Sequence, residues 1–317
     1  MTFKYIFGPV MSGRLGRSLG LDLLGGRVCS MDCVYCEVGA TRNLTVERKP
    51  YVPAKDILDE LAKWKATMVT TPDAITLGGL GEPTLNSEMA RIIIGARELF
   101  PDTDIAVLTN ASLMTDELVR QELTLADIIL PSLDSLVDDE FNTVNRPCKG
   151  MTPAAIAAGL LDFRKVFKGK IFLEILLAKG INDSDENLGK LKIFCKRLVP
   201  DRVDVVTLTR PGTLKNVHPV DGEVVSRWRK ALNAGKSRAD DRKTLRKEDF
   251  SMERATALIE ASLARRPQTV LQLAEALNAK PETVRLAVET LERAGDIVAC
   301  TAEGKTFYHG IGHRIEE

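Results

Sequence analysis

The sequence predicts an α/β fold of parallel strand–helix–strand units, followed by a small domain of helices and a hairpin. Three observations carry this. Short apolar strand candidates alternate with amphipathic stretches of helical period from residue 18 to residue 232. Six such strands follow one another, each with a helix after it, and that alternation demands parallel pairing. Beyond a strongly charged stretch, the tail changes pattern to three helices and two short strands.

In order, residues 7–20 read as a loop, with four glycines and two arginines in Phe-Gly-Pro-Val-Met-Ser-Gly-Arg-Leu-Gly-Arg-Ser-Leu-Gly. It either crosses one end of a barrel or brings Arg14 and Arg17 to an anionic group, since guanidinium forks match carboxylate and phosphate. Ser18 to Leu24 is the first strand. Ala54–Thr67 is helical, with Ile57, Leu58, Leu61 and Trp64 on one face. Ala74–Gly78 is a strand, and Ser87 caps a helix through Phe100. Asp104–Thr109 is a strand, Thr115–Leu123 a helix and Asp127–Ser132 a strand. Thr152-Pro153 opens a helix to Val166, with proline in the first turn where its missing N–H does no harm. Lys170–Leu177 is a strand, Ser184–Leu198 a helix, Arg202–Thr207 a strand and Gly222–Leu232 a helix.

Residues 1–233 thus form one domain and 234–250 a linker. Lys236 to Asp249 mixes basic and acidic side chains so densely that it has no face to bury. Residues 251–317 form the second domain. Helices are expected over Met252–Ala264, Thr269–Leu277 and Lys280–Ala294, with Gly295 as a left-handed cap. Asp296–Thr301 and Lys305–His309 make the hairpin.

Lysine plus arginine equals aspartate plus glutamate, 44 of each. No overall field therefore draws the chain to nucleic acid or to anionic lipid. No apolar run is long enough to span a membrane, and Met1 to Val10 is unlike a signal peptide. With three of six cysteines clustered, a reducing cytoplasm is expected rather than a disulfide framework.

The chemistry centres on Cys29-Ser30-Met31-Asp32-Cys33-Val34-Tyr35-Cys36. Thiolates this close wrap one inorganic centre, and they select zinc, copper(I) or iron–sulfur clusters. Structural zinc wants four closed ligands. Cys148, Cys195 and Cys300 are isolated, and His218, His309 and His313 lie far downstream. Three thiolates with one position open suit a [4Fe–4S] cluster.

This spacing, with an aromatic Tyr35 before the last cysteine, resembles the signature of the radical S-adenosylmethionine (SAM) superfamily. The resemblance implies a partial (β/α)6 barrel over residues 1–233, with Cys29, Cys33 and Cys36 on the cluster and SAM on its open iron. It also implies reductive cleavage of SAM and hydrogen abstraction from a substrate, with flavodoxin or ferredoxin as a fitting electron donor.

Gly78-Gly79-Leu80-Gly81-Glu82-Pro83, after the second strand, resembles the family's glycine–glutamate segment, whose backbone holds the methionyl amine of SAM. Alone it reads first as just a tight turn. Tyr35, Gly79, Gly81, Glu82, Asn110, Ser132 and Asp134 are the implied SAM residues. Ser132 and Asp134 are expected at the ribose, although polar residues at strand ends also cap helices. Arg14, Arg17, Glu174, Lys179 and Arg210 are candidate substrate contacts. Glu174 stands in an otherwise apolar strand and needs a partner.

The opening segment, Cys-Val-Tyr-Cys and Asn145-Arg146-Pro147 together resemble a branch related to the wyosine tRNA-base synthases. A second cysteine cluster is missing, and Cys148 stands where related sequences carry histidine. The tail resembles a winged helix domain. Residues 251–317 hold eight basic and ten acidic residues, so DNA is disfavoured and a tRNA or peptide substrate is expected. The contrasting reading is an iron–sulfur redox sensor that binds DNA through the winged helix.

Overall fold

In the computed structural model, the structure describes residues 3–67, 71–234, 251–302 and 304–311. Among these, seven strands form one curled sheet. β1 (Ile6–Ser12) and β2 (Gly16–Asp22) are an antiparallel hairpin at one edge. Parallel neighbours follow in chain order: β5 (Ala74–Gly78), β6 (Asp104–Thr109), β7 (Ile128–Pro131), β8 (Lys170–Leu177) and β9 (Arg202–Thr207). A separate two-residue pair joins β3 (Val28–Cys29) to β4 (Asn43–Leu44) beside the sheet.

α1 (Ala54–Thr67), α2 (Met89–Leu99), α3 (Glu117–Leu123), α4 (Asp138–Asn145), α5 (Pro153–Val166), α6 (Asp185–Leu198) and α7 (Gly222–Ala231) supply the connections. Every crossover advances by one strand, so the twisted sheet curls into part of a barrel. Strand alternation then sorts the side chains. Leu19, Leu21, Ile75, Leu77, Ile105, Val107, Ile129, Leu173 and Ile175 face the helices in the main core. Ala74, Ala106, Ile128 and Leu130 form a second, inner cluster, plugged by Leu15.

Several expectations need correction. Residues 7–20 are not a loop but most of the edge hairpin, because β2 offers β1 an open backbone edge. The first parallel strand accordingly starts at Gly16, before Ser18. The helix expected from Ser87 begins at Met89, with Glu88 at its cap and no side-chain capping bond. The one expected over Thr115–Leu123 divides at Asp116: a 3₁₀ turn over Ser112–Thr115 precedes α3, which Asp116 caps through Leu118 N. α4 was not anticipated.

In the tail, α8 (Met252–Leu263), α9 (Val270–Ala276) and α10 (Pro281–Ala294) precede the hairpin of β10 (Ile297–Ala302) and β11 (Lys305–Gly310). Gly295 has the expected left-handed backbone, at φ 79°. These elements enclose their own apolar cluster around Ile259, Leu263, Leu273, Val284, Val288 and Ile297. Of the predicted linker, 235–250 lies outside the described residues.

Candidate functional site: a thiol loop at the barrel mouth

The loops leaving the carboxyl ends of the parallel strands meet at one mouth, where ligands collect in such barrels. The thiol loop there is held by its backbone from two sides. Asp32 N donates to Asn145 O at 3.1 Å, Val34 N to Val144 O at 3.0 Å and Cys148 N to Ser30 O at 2.9 Å. Arg146, turned left-handed at φ 41°, donates from Nε to Asp32 O at 2.6 Å and pairs through Nη2 with Asp32 Oδ2 at 2.6 Å. On the other side Leu214 N donates to Val34 O at 3.1 Å. Gly212 lies so close that a Cβ would sit 2.8 Å from the Tyr35 backbone.

All six cysteines are unbridged. Burial pushes the three clustered thiols up, Cys36 to about 11. For Cys33 the neighbouring charges of Cys36 and Cys29 add to the rise. Amide donors point at two sulfurs: Asn110 Nδ2 at 3.5 Å from Cys29 Sγ and Asn145 Nδ2 at 3.4 Å from Cys33 Sγ. Buried thiols that disfavour one another's ionisation require a cationic centre to become thiolates. Donors to sulfur in turn stabilise the thiolate form. Among the described residues no three His, Cys, Asp or Glu side chains converge on the point that a single metal ion would occupy. The thiols are spread along one loop, and their donor set fits an iron–sulfur cluster.

The glycine segment is locked to this loop. A Cβ on Gly81 would lie 1.8 Å from Val28 O, and Glu82 N donates to that oxygen at 3.1 Å. Gly79, at φ +109°, passes Asp22 so closely that a Cβ would meet its Oδ1 at 2.7 Å. The buried Glu82 accepts from Thr84 Oγ1 at 2.6 Å, Thr109 Oγ1 at 2.7 Å and Asn110 N at 2.7 Å. Burial raises its carboxyl, against those hydrogen bonds. Glu82 therefore ties the glycine loop to the end of β6. Asn110 extends the chain of contacts, donating to Ser30 Oγ at 2.9 Å.

Asp134 is the second organising carboxylate. Tyr35 OH donates to its Oδ2, as does Asn145 Nδ2 at 2.8 Å, while Leu176 N donates to Oδ1 at 2.9 Å. Burial raises its carboxyl to about 6 despite these bonds. Ser132 sits partly exposed at the end of β7, bridged to Glu174. Cys29, Cys33, Cys36, Tyr35, Gly79, Gly81, Glu82, Asn110, Ser132 and Asp134 are thus all placed at one mouth.

The substrate candidates divide. Glu174 lies on the concave face of β8, where strand alternation separates it from the outer core, and it pairs with Arg14. Arg210 lies 3.3 Å from Glu37. Arg17 is not at the mouth: it sits at the amino end of β2, pairing with Asp73 at 3.7 Å. Lys179 pairs with Asp221 at 3.1 Å on an exposed outer rim. Sequence reasoning assigned no role to Glu37, although it adjoins Cys36. It also missed Asn145 as a sulfur partner and Arg266, whose approach depends on contacts remote in sequence.

Residues 23–191 match the family described as the radical SAM superfamily, and the chain belongs to it. Enzymes of that superfamily use a [4Fe–4S] cluster and SAM. A Brachyspira hyodysenteriae protein named GTPase Obg is 32% identical over 300 residues, which are 93% of this chain and 43% of that protein. The chain therefore spans less than half the length of that relative. The phosphate-cradling pattern Gly-x₄-Gly-Lys-Ser/Thr does not occur here. A Synechocystis sp. relative, UPF0026 protein slr1464, is 37% identical over 215 residues, covering 68% of this chain and 79% of its own. A radical SAM methyltransferase from Sphaerobacter thermophilus shares the fold at TM-score 0.50 and 20% identity, over 68% of this chain and 63% of its own. Among the described residues no helix is long and apolar enough to cross a membrane.

Proposed function

We propose that this chain is a radical SAM enzyme whose Cys29, Cys33 and Cys36 hold the [4Fe–4S] cluster and whose strand ends hold SAM. The observation that carries the reading is the junction of thiol loop and glycine segment, locked where Gly81 meets Val28 O. Bound together, cluster and SAM supply reductive cleavage of the sulfonium and abstraction of a hydrogen atom from substrate. Asn110 and Asn145 orient two thiolates through their amides. The backbone of Gly79 and Gly81 faces the methionyl amine, with Glu82 fixing the loop. Ser132 serves the ribose. Asp134, with both oxygens engaged by protein donors, positions Tyr35 and Asn145. The apolar inner face of the sheet, with Leu15 as its plug, excludes water below.

The particular reaction proposed is modification of a tRNA base or a peptide, in an enzyme related to the wyosine synthases, with flavodoxin or ferredoxin as reductant. The tail, read as a winged helix, recruits the substrate or a partner rather than DNA. The intact glycine segment disfavours a mere sensor, which has no need of a SAM pocket. Anaerobic reconstitution with iron and sulfide, then SAM and a strong reductant, should yield 5′-deoxyadenosine from the wild type and none from Cys33→Ala. A well-formed cluster that yields no product would overturn the reading.

A further inference from the structure

Beside the thiol loop, two arginines share one carboxylate. Glu37 follows Cys36 directly. Its Oε1 lies 3.3 Å from Arg210 Nε, in the loop after β9, and its Oε2 lies 3.8 Å from Arg266 Nη1, just beyond α8. The Arg210 side chain is only 13% exposed, yet among the described residues its buried Nε and Nη1 make no hydrogen bond, and Nε meets Glu37 only as an ion pair. Arg14 is the third guanidinium nearby. Arg266 is lowered by burial first, with Arg210 and Arg14 adding to the effect and Glu37 opposing it. Glu174 is held by Arg14. Among the described residues three guanidinium groups therefore stand against two carboxylates here, and Arg210 keeps desolvated donors without a hydrogen bond.

The surroundings point the same way. A cleft of about 280 Å³ opens beside Arg210, between the loop after β9 and the tail hairpin. Among the described residues, Lys215, His218 and Lys305 line it with Arg210. Arg266 is not there by chance of a loose terminus. The adjacent Arg265 stacks over Phe7 with its guanidinium carbon 4.2 Å from the ring centroid. Gln272 Nε2 also reaches Thr209 O at 3.4 Å.

We propose that Arg210 and Arg266 form an anion-binding site for a carboxylate or phosphate group of the substrate, with Glu37 as its internal competitor. Buried guanidinium N–H groups that make no hydrogen bond are costly, and a planar two-oxygen anion supplies the missing bonds. The site holds an anionic handle beside the thiol loop, and the tail contributes one of its two cations. This rests on the enzyme reading above and narrows its substrate to an anionic one.

The test uses the full chain with its cluster reconstituted, titrated anaerobically by calorimetry with inorganic phosphate and, separately, with acetate. Saturable binding of at least one anion is expected, weakened tenfold or more in Arg266→Gln and strengthened severalfold in Glu37→Gln. Preference for phosphate assigns a phosphorylated substrate, and preference for acetate a carboxylated one. Arg266→Lys keeps the charge but loses the fork, so it should bind between wild type and Arg266→Gln. No saturable binding by wild type and Glu37→Gln would overturn the proposal. So would an affinity within twofold of wild type in Arg266→Gln. If Arg266→Gln does not fold, the Glu37→Gln comparison decides. Because binding is read without turnover, anion binding in a protein that makes no 5′-deoxyadenosine would sink the enzyme reading alone. Product formation without anion binding would sink only this site.

Discussion

Asp134 shows how a single buried group couples the site to stability. Its carboxyl ordinarily ionises near 3.8 and is raised to about 6 by burial. The folded protein therefore binds this proton more tightly than the unfolded chain. Its stabilising effect is complete below the ordinary value and is lost as pH rises through about 6. The whole effect amounts to about 3 kcal/mol. In cluster-free protein, denaturant titrations should show stability falling between pH 4 and 6, and Asp134→Asn should flatten that slope. An unchanged slope in the variant would show that another group governs it. Gly81 is a steric counterpart. A methyl group 1.8 Å from Val28 O cannot be accommodated without moving backbone. Gly81→Ala should cost about 3 kcal/mol or more and lower iron incorporation on reconstitution. A variant with native stability and full iron content would contradict the close approach.

Among the elements, the tail helices share only a small apolar cluster of their own, so their caps matter. Thr269 caps α9 by accepting from Gln272 N at 3.2 Å, while Gln272 Oε1 accepts from Thr269 N at 3.0 Å. Thr269→Ala should lower stability by about 1 kcal/mol. Chemical denaturation measures this, and a change under a few tenths would deny the cap its role. At the other end of the chain, the β1–β2 hairpin explains why a glycine-rich stretch became a strand pair. Its pairing partner is contributed locally, yet its position is fixed only once β2 has joined β5. Residue pattern could not show this, since neither strand alternates cleanly.

At the scale of the whole molecule, the cluster is expected to fix the one loop against which loops from other strands pack. Cys29, Cys33 and Cys36 share their loop with contacts to Asn110 after β6 and Asn145 at the end of α4. Metal bound only by the folded state stabilises it by mass action, about 4 kcal/mol at a thousandfold excess over Kd. Anaerobic melting should therefore show a clearly higher Tm for the reconstituted protein than for the iron-free one, and the gap should vanish in Cys33→Ala. Equal melting temperatures in the wild type would show that the centre adds nothing to folding.

Much of this was legible in sequence because the signals are local. The three-thiol spacing, the glycine–glutamate segment and each strand or helix lie within short stretches, so ligand chemistry exposes the first, the family resemblance the second and periodicity the third. β8 and β9 run over the residues expected, Lys170–Leu177 and Arg202–Thr207. Thr152 and Ser184 cap α5 and α6 as their positions suggested. Tertiary structure decided what depends on distance along the chain. It sent Arg17 to the far end of the barrel while turning Arg14 inward to Glu174, two arginines that sequence treated alike. It also brought Arg266 against Glu37, across 229 positions, 266 minus 37. Charge and hydrogen-bond partners are settled by which strand ends meet, and that follows from how far the sheet curls before its loops close.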